Sequence, residues 1–292
     1  MYGAILGDII GSTYEFAGIK TKKFPLFPGG SDFTDDSILT IAVAKALLRS
    51  IETKRVFGDV LVEELRIMGV EYPHPKGGYG TGYRKWLDDP FAMPYNSCGN
   101  GSAMRVSSCG LIAVTLEEAL ELAEASAEVT HNHPEGIKGA KATAAAIFLA
   151  KTGHSKAENR DYIHNNYYPM DRTLDEIRLN YHFEGTCQKS VPEAIIAFLE
   201  SNNFEDAICN TISLGGDADT MGAITGAIAW SYYRFQSKTG ISAKMAKLWI
   251  KAVDYLPEEW LDFILEFDRF CRQREEEYRK LGTVGSEVCI NR

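Results

Sequence analysis

Residues 213 to 230 read SLGGDADTMGAITGAIAW, a doubled glycine, two aspartates and a threonine set directly before a run of small apolar residues. The run has helical length, yet Gly222 and Gly226 each cost on the order of 1 kcal/mol relative to alanine inside a helix. Their i, i+4 spacing, with Ala223 and Ala227 beside them, clears one helix face for another backbone to approach. The stretch therefore predicts a central, tightly packed helix. Residues 2–17 repeat the device, with Gly3, Gly7 and Gly11 four residues apart along a further apolar segment.

Outward from these stripes the periodicity is helical and strand-like alternation is nearly absent. In DDSILTIAVAKALLRS, residues 35–50, the apolar positions Ile38, Leu39, Ile41, Ala42 and Ala46 recur at spacings of three and four. Acids stand at its start and Lys45 and Arg49 near its end, matching the helix dipole. The same reading predicts helices over 57–70, 117–130, 135–151, 191–201, 203–213, 220–237, 242–254 and 258–280, with Thr115 and Ser190 as cap residues. Loops rich in Gly, Pro, Asn and Tyr join them at 20–33, 71–82, 89–101 and 165–173. No linker, charge block or repeat divides the chain, so the expectation is one all-α domain over residues 1–292, ending in a flexible tail from 282.

The chain of 292 residues carries 31 basic and 40 acidic side chains, a net charge of -9. That balance offers no basic patch to hold a nucleic-acid backbone and argues against nucleic acid as a direct partner. The first residues lack the basic start of a signal peptide, and no apolar run reaches the roughly 20 residues that span a bilayer, so a cytoplasmic protein is expected, without a membrane partner. The six cysteines, Cys98, Cys109, Cys187, Cys209, Cys271 and Cys289, show no zinc-binding spacing and read as reduced, mostly buried thiols. Cys98 alone sits in a glycine-rich loop, where it can meet a ligand.

Two segments share one layout, a threonine and two aspartates at the start of an apolar helix: Thr34-Asp35-Asp36 and Asp217-Ala218-Asp219-Thr220. Either one alone is satisfied by helix capping. Four carboxylates meeting at two helix starts, however, repel unless cations neutralise them. Oxygen-only ligands without His or Cys suit Mg²⁺ or Mn²⁺ rather than zinc, and neighbouring aspartates can bridge two such ions. Glu15 is a third acidic candidate, placed by helical spacing on one face with Asp8 and Gly11.

Three further segments read either as turns or as ligand contacts. The loop from Asn96 to Arg105 can offer amides to an anion, or simply start a helix with Ser102 as cap. Gly77, Gly78, Gly80 and Gly82 can line a cleft in which Tyr79 stacks on a ring. His131 and His133 follow a helix end, where they can cap it or reach a phosphate or ribose.

In this order GDIIGSTYE, FTDDS, SCGNGSAMR, Thr130-His131 and residues 213–230 resemble the ADP-ribosylglycohydrolase family, which includes dinitrogenase reductase activating glycohydrolase, over about residues 2 to 230. The resemblance implies an all-α fold with two Mg²⁺ or Mn²⁺ ions at the bottom of a cleft for ADP-ribose. It implies Thr34, Asp35, Asp36, Asp217, Asp219 and Thr220 as metal ligands, and Glu15 as a glutamate beside the ions that ligates or moves to admit substrate. Ser97, Cys98, Gly99, Asn100 and Gly101 then match the phosphate and ribose loop, Gly78 and Tyr79 the cleft lining, and His131 a ligand-contacting histidine. Two positions depart: Ser37 stands where the family usually has Thr, and Cys98 where some members have an aromatic residue.

The expected reaction is metal-assisted hydrolysis at the anomeric carbon of ADP-ribose, with Glu15, Asp35 or Asp36 accepting the proton of the attacking water. The expected partner is an ADP-ribosylated protein, modified on arginine, and the enzyme is expected to act as a monomer. Other linkages, to serine, nucleic acid or a small molecule, and a binder without catalysis are the alternatives. The rim, over 17–33, 71–95 and 165–190, is expected to choose among them.

Overall fold

The computed structural model describes residues 1–237 and 240–289, with side chains up to residue 281; the expected tail beyond 282 lies, in its side chains and last residues, outside that description. Helices form every regular element among the described residues: α1 (Tyr2–Gly11), α2 (Asp35–Thr53), α3 (Phe57–Glu71), α4 (Thr81–Asp88), α5 (Gly101–Met104), α6 (Ser107–Ile112), α7 (Leu116–Glu128) and α8 (Pro134–Lys151). The second half adds α9 (Lys156–Asn166), α10 (Leu174–Asn180), α11 (Cys187–Leu199), α12 (Phe204–Ile212), α13 (Ala218–Gln236), α14 (Ala243–Val253) and α15 (Glu258–Cys289). The expected all-α class holds, with two isolated bridges, Thr34 to Lys76 and Gly99 to Thr186, in place of any sheet among the described residues. None of the described helices is long and apolar enough to cross a membrane.

The two glycine stripes lie against each other. A Cβ on Gly3 would come 2.0 Å from the Gly226 carbonyl oxygen, one on Gly7 1.9 Å from that of Gly222, and one on Gly11 2.3 Å from that of Ala218. Helices α1 and α13 thus run antiparallel in backbone contact, which only residues without side chains permit. Ile5, Leu6, Ile9 and Ile10 fill the rest of the α1 surface and are fully buried, so the pair forms the centre of the core. At its far end Tyr2 stacks on Trp230 with ring centroids 5.4 Å apart.

Several boundaries differ from the sequence reading. Helix α11 starts at Cys187 after Thr186, so Ser190 is no cap; its Oγ donates to the Thr186 carbonyl within the first turn. Thr115 does cap α7, its side chain accepting from the Glu118 amide. Helix α1 stops at Gly11, and a series of turns carries the chain through Tyr14 and Ala17. Glu15 therefore does not continue a helical face with Asp8; it reaches the site from a turn. The predicted rim segments contain helices α4 and α10, short elements that rely on tertiary packing rather than on their own periodicity. Of the described cysteines, Cys109, Cys187 and Cys271 are buried, Cys98 and Cys209 partly so, and all are free.

Candidate metal centre and ligand cleft

The site begins at Asp8, a carboxylate in the otherwise apolar α1 and fully buried. It accepts from the Thr34 amide at 3.0 Å and the Thr34 hydroxyl at 2.7 Å, then from the Ser37 amide at 3.0 Å and the Ser37 hydroxyl. These bonds pin the start of α2 onto α1. Thr34 also caps α2, accepting from the Asp36 amide at 3.2 Å, and its hydroxyl lies 3.2 Å from Asp36 Oδ2. The Thr220 hydroxyl, from the first turn of α13, donates to the same Asp36 oxygen at 3.2 Å. The two acidic helix starts therefore meet, although they lie far apart in sequence.

Their meeting produces two overlapping carboxylate triads, Asp8 with Asp36 and Asp219, and Glu15 with Asp217 and Asp219, each with one oxygen per residue within 4.8 Å of the others. Asp219 belongs to both. Asp35 belongs to neither; it lines the cleft, beside the triads. Asp8, in contrast, occupies a place in a triad that the sequence reading did not assign to it. Its signal was available: a charge inside a wholly apolar helix needs a buried partner.

Among the described residues no basic side chain forms an ion pair with these acids, and Lys76 alone offsets the charge at Glu15. Burial raises every carboxyl here, and mutual repulsion adds to most of them. Asp8 is pushed up to about 6 by burial, which its bonds to Ser37 and Thr34 partly offset. Asp217 also reaches about 6, burial again being offset by Asp219 and by Asn100, whose Nδ2 donates to Asp217 Oδ2 at 2.8 Å. Glu15 rises to about 8 through burial and the nearby Asp219, with Lys76 opposing. Asp35, Asp36 and Asp219 are all held well above the ordinary carboxylate range, burial first and neighbouring acids next.

A divalent cation fits this group on the donors themselves. They are hard oxygens, and Asp36 Oδ1 is buried without a hydrogen-bond partner, which is costly for a carboxylate unless something positive meets it. The acidic cluster is thus able to bind metal.

Above the acids opens a cleft of about 370 Å³. Glu15, Asp35, Asp36, Asp217, Asp219 and Thr220 form its floor. One wall is the glycine loop, where Gly77 and Gly78 take positive φ of 76° and 80° and Gly77 approaches Glu15 so closely that a Cβ would come 2.9 Å from its Oε2. Tyr79 lines this wall, but its hydroxyl donates to the Tyr72 carbonyl at 2.9 Å and its ring packs on Tyr83. The opposite wall carries Ser97, Gly99, Asn100, Gly101 and His131.

This second loop is less free than its glycines implied. The Gly99 amide donates to Ser97 Oγ at 3.0 Å and the Asn100 amide to the Gly185 carbonyl at 2.9 Å, and the helix that follows, α5, is a single turn with Ser102 inside it rather than at its cap. Cys98 is not among the lining residues; its carbonyl accepts from the Cys187 amide at 2.9 Å, tying the loop to α11. His131 lines the cleft and is nearly fully buried, while His133 instead caps α8, its Nδ1 accepting from the Glu135 amide at 3.1 Å. At the mouth, beside Glu15, the exposed rings of Phe16 and Phe183 stack with centroids 5.6 Å apart.

The ADP-ribosylglycohydrolase family model matches residues 1–278, nearly the whole chain. The chain belongs to the ADP-ribosylglycohydrolase family. It is 27% identical to ADP-ribosylhydrolase ARH3 of Homo sapiens, over 88% of this chain and 86% of that protein. It is 27% identical to the ADP-ribosyl-[dinitrogen reductase] glycohydrolase of Rhodospirillum rubrum, over 79% and 83% of the two chains, and 25% identical to the ADP-ribosylarginine hydrolase Tri1 of Pseudomonas putida, over 87% and 72%. A solved ADP-ribosylglycohydrolase-related protein complex shares the fold, with a TM-score of 0.64 at 22% identity over 92% of this chain and 98% of that one. This ADP-ribosylglycohydrolase is accordingly an enzyme that hydrolyses a glycosidic bond of ADP-ribose.

Proposed function

We propose that the enzyme removes ADP-ribose from a modified protein side chain, arginine being the preferred linkage, with two Mg²⁺ or Mn²⁺ ions held between Asp8, Asp36, Asp219, Asp217 and Glu15. The observation that carries this reading is the pair of carboxylate triads sharing Asp219 at the floor of a cleft with glycine-lined walls. When bound, divalent ions supply positive charge that orients sugar hydroxyls and steadies developing negative charge on oxygen.

The chain's own residues then divide the remaining work. Glu15 reaches the floor from a turn and, once its carboxyl is held ionised by bound cations, would be placed to take the proton of an attacking water. Asp35, open to the cleft, faces the sugar and stabilises positive charge as the glycosidic bond breaks. Thr34 and Thr220 hold Asp36 in orientation, and Asn100 does so for Asp217. Gly78, Ser97, Gly99 and Gly101 shape the walls around ribose and phosphate. The preference for arginine rests on the Phe16 and Phe183 rings, a flat surface beside a carboxylate on which a planar guanidinium stacks. Relatives that act on ADP-ribosylarginine and on dinitrogen reductase support the same partner class, an ADP-ribosylated protein.

The test is release of ADP-ribose from arginine-modified and serine-modified protein in Mg²⁺ or Mn²⁺. Release from the arginine substrate, abolished by EDTA, is the expected result. Release from the serine substrate alone would overturn the linkage, and release undiminished by EDTA the metal assignment.

A further inference from the structure

Among the residues that line the cleft beside His131 is a buried guanidinium that the carboxylate floor does not explain. Arg105 is fully buried and no carboxylate among the described residues pairs with it. Its Nη2 donates to the Ser126 carbonyl at 2.6 Å and to the Thr130 hydroxyl at 2.9 Å, while Nε and Nη1 find no hydrogen-bond partner among the described residues. Keeping such a cation in the interior is costly, and an apolar side chain would pack there at lower cost.

What it does is legible one bond further on. The Thr130 oxygen lies 2.8 Å from His131 Nδ1. The hydroxyl also bonds Tyr95 and has one proton to give; where that proton is directed to Nδ1, a neutral imidazole accepting there carries its hydrogen on Nε2. Nε2 makes no hydrogen bond within the described residues and lies against Gly99 and Gly101, where a Cβ would come within 3.5 Å and 3.0 Å of it. The glycines thus leave this nitrogen open to the cleft. Burial and the Arg105 charge both press His131 toward its neutral form.

We propose that Arg105 is a positioning residue, which through the Thr130 hydroxyl fixes His131 as the tautomer whose Nε2–H faces the cleft and donates to an oxygen of bound ADP-ribose. The inference rests on the reading that ADP-ribose occupies this cleft. It explains why a buried, half-satisfied guanidinium is retained, and why small residues surround one face of the imidazole.

Nitrogen-15 NMR of the imidazole in the ligand-free full chain reports which nitrogen holds the hydrogen. Wild type is expected to show Nε2 protonated, Thr130→Ser to keep that signature, and Thr130→Val, which removes the hydroxyl at nearly constant volume, to give a mixture. Arg105→Lys keeps the charge but not the planar fork and is expected to give the same mixture. In Thr130→Val, KM for the ADP-ribosylated substrate and the calorimetric Kd for free ADP-ribose should rise about tenfold while kcat changes less than about threefold. An Nδ1-protonated wild type, or an unchanged tautomer in Thr130→Val, would overturn the proposal. Since the tautomer is read without substrate, a wild type that releases no ADP-ribose would overturn the functional reading alone.

Discussion

The two acidic helix starts look alike in sequence and are built differently. At α2, Thr34 caps the helix and Asp8 fastens it from below with bonds to the Thr34 and Ser37 amides and hydroxyls. At α13, Asp217 sits in the cap position with no side-chain cap bond, and its carboxylate is turned to Asn100 across the cleft. The first start is anchored by groups that serve the fold, which leaves Asp36 free to be held in place; the second forgoes capping, so both of its carboxylates are available to a ligand. A helix start that lacks its cap bond while carrying two aspartates has had its capping donated to another purpose.

The largest test of this contrast is at Asp219, the member of both triads. Asp219→Ala should remove calorimetric binding of Mn²⁺ and lower kcat/KM by more than about a hundredfold, beyond the range typical of a residue that only orients a ligand. Retained metal affinity would break the assignment of α13 as the shared ligand helix.

Next in size is a pH effect of unusual sign. Unfolded carboxylates titrate near 4, whereas Asp8 and Asp217 titrate at about 6 and Glu15 at about 8 in the folded chain. Between those limits the folded state binds more protons than the unfolded one, so the metal-free protein loses stability as pH rises from about 4 to 8. In EDTA the melting temperature should fall by on the order of 5 °C from pH 5 to pH 8, and Mn²⁺ should restore it at pH 8 far more than at pH 5. A melting temperature that climbs across this range in EDTA would mean that the acids are satisfied without a cation.

The smallest effect concerns the cap itself. Thr34→Ala should lower stability by about 1 kcal/mol, as loss of an N-cap does, with denaturant unfolding in EDTA as the measure. No loss there would erase the distinction drawn between the two starts.

Much of this was legible in the sequence because the signals were periodic or repeated. The spacing of Gly222 and Gly226 and of Gly3, Gly7 and Gly11 announced close backbone contact, and the matched acidic starts announced a shared site. What escaped was single or long-range. Asp8 is one charge in an apolar helix, and its partners Thr34 and Ser37 lie on another helix. Glu15 followed the helical period on paper, but α1 ends at Gly11, before the period reaches it. Arg105 read as the end of a loop motif; nothing local reveals that it touches Thr130, 25 positions away. The short helices α4, α5, α6 and α10 gave too few residues for periodicity to speak, and α9, although 11 residues long, is polar nearly throughout and shows no apolar stripe.

The contact between α1 and α13 has a consequence for the alignment of the whole site. Glycines repeating every four residues on both helices would still meet if one helix slid along the other by a turn, with Gly7 then opposite Gly226 and Gly11 opposite Gly222. The stripes grant proximity without choosing a register. A slide of that kind would carry Asp8 about 5.4 Å along the axis, away from Asp219 and from the α2 amides it holds. The register is marked at one end by Tyr2 against Trp230, while Asp8 ties α1 to the start of α2 through Thr34, so that a buried acid of the site also serves as the pin that holds the central pair against its neighbour.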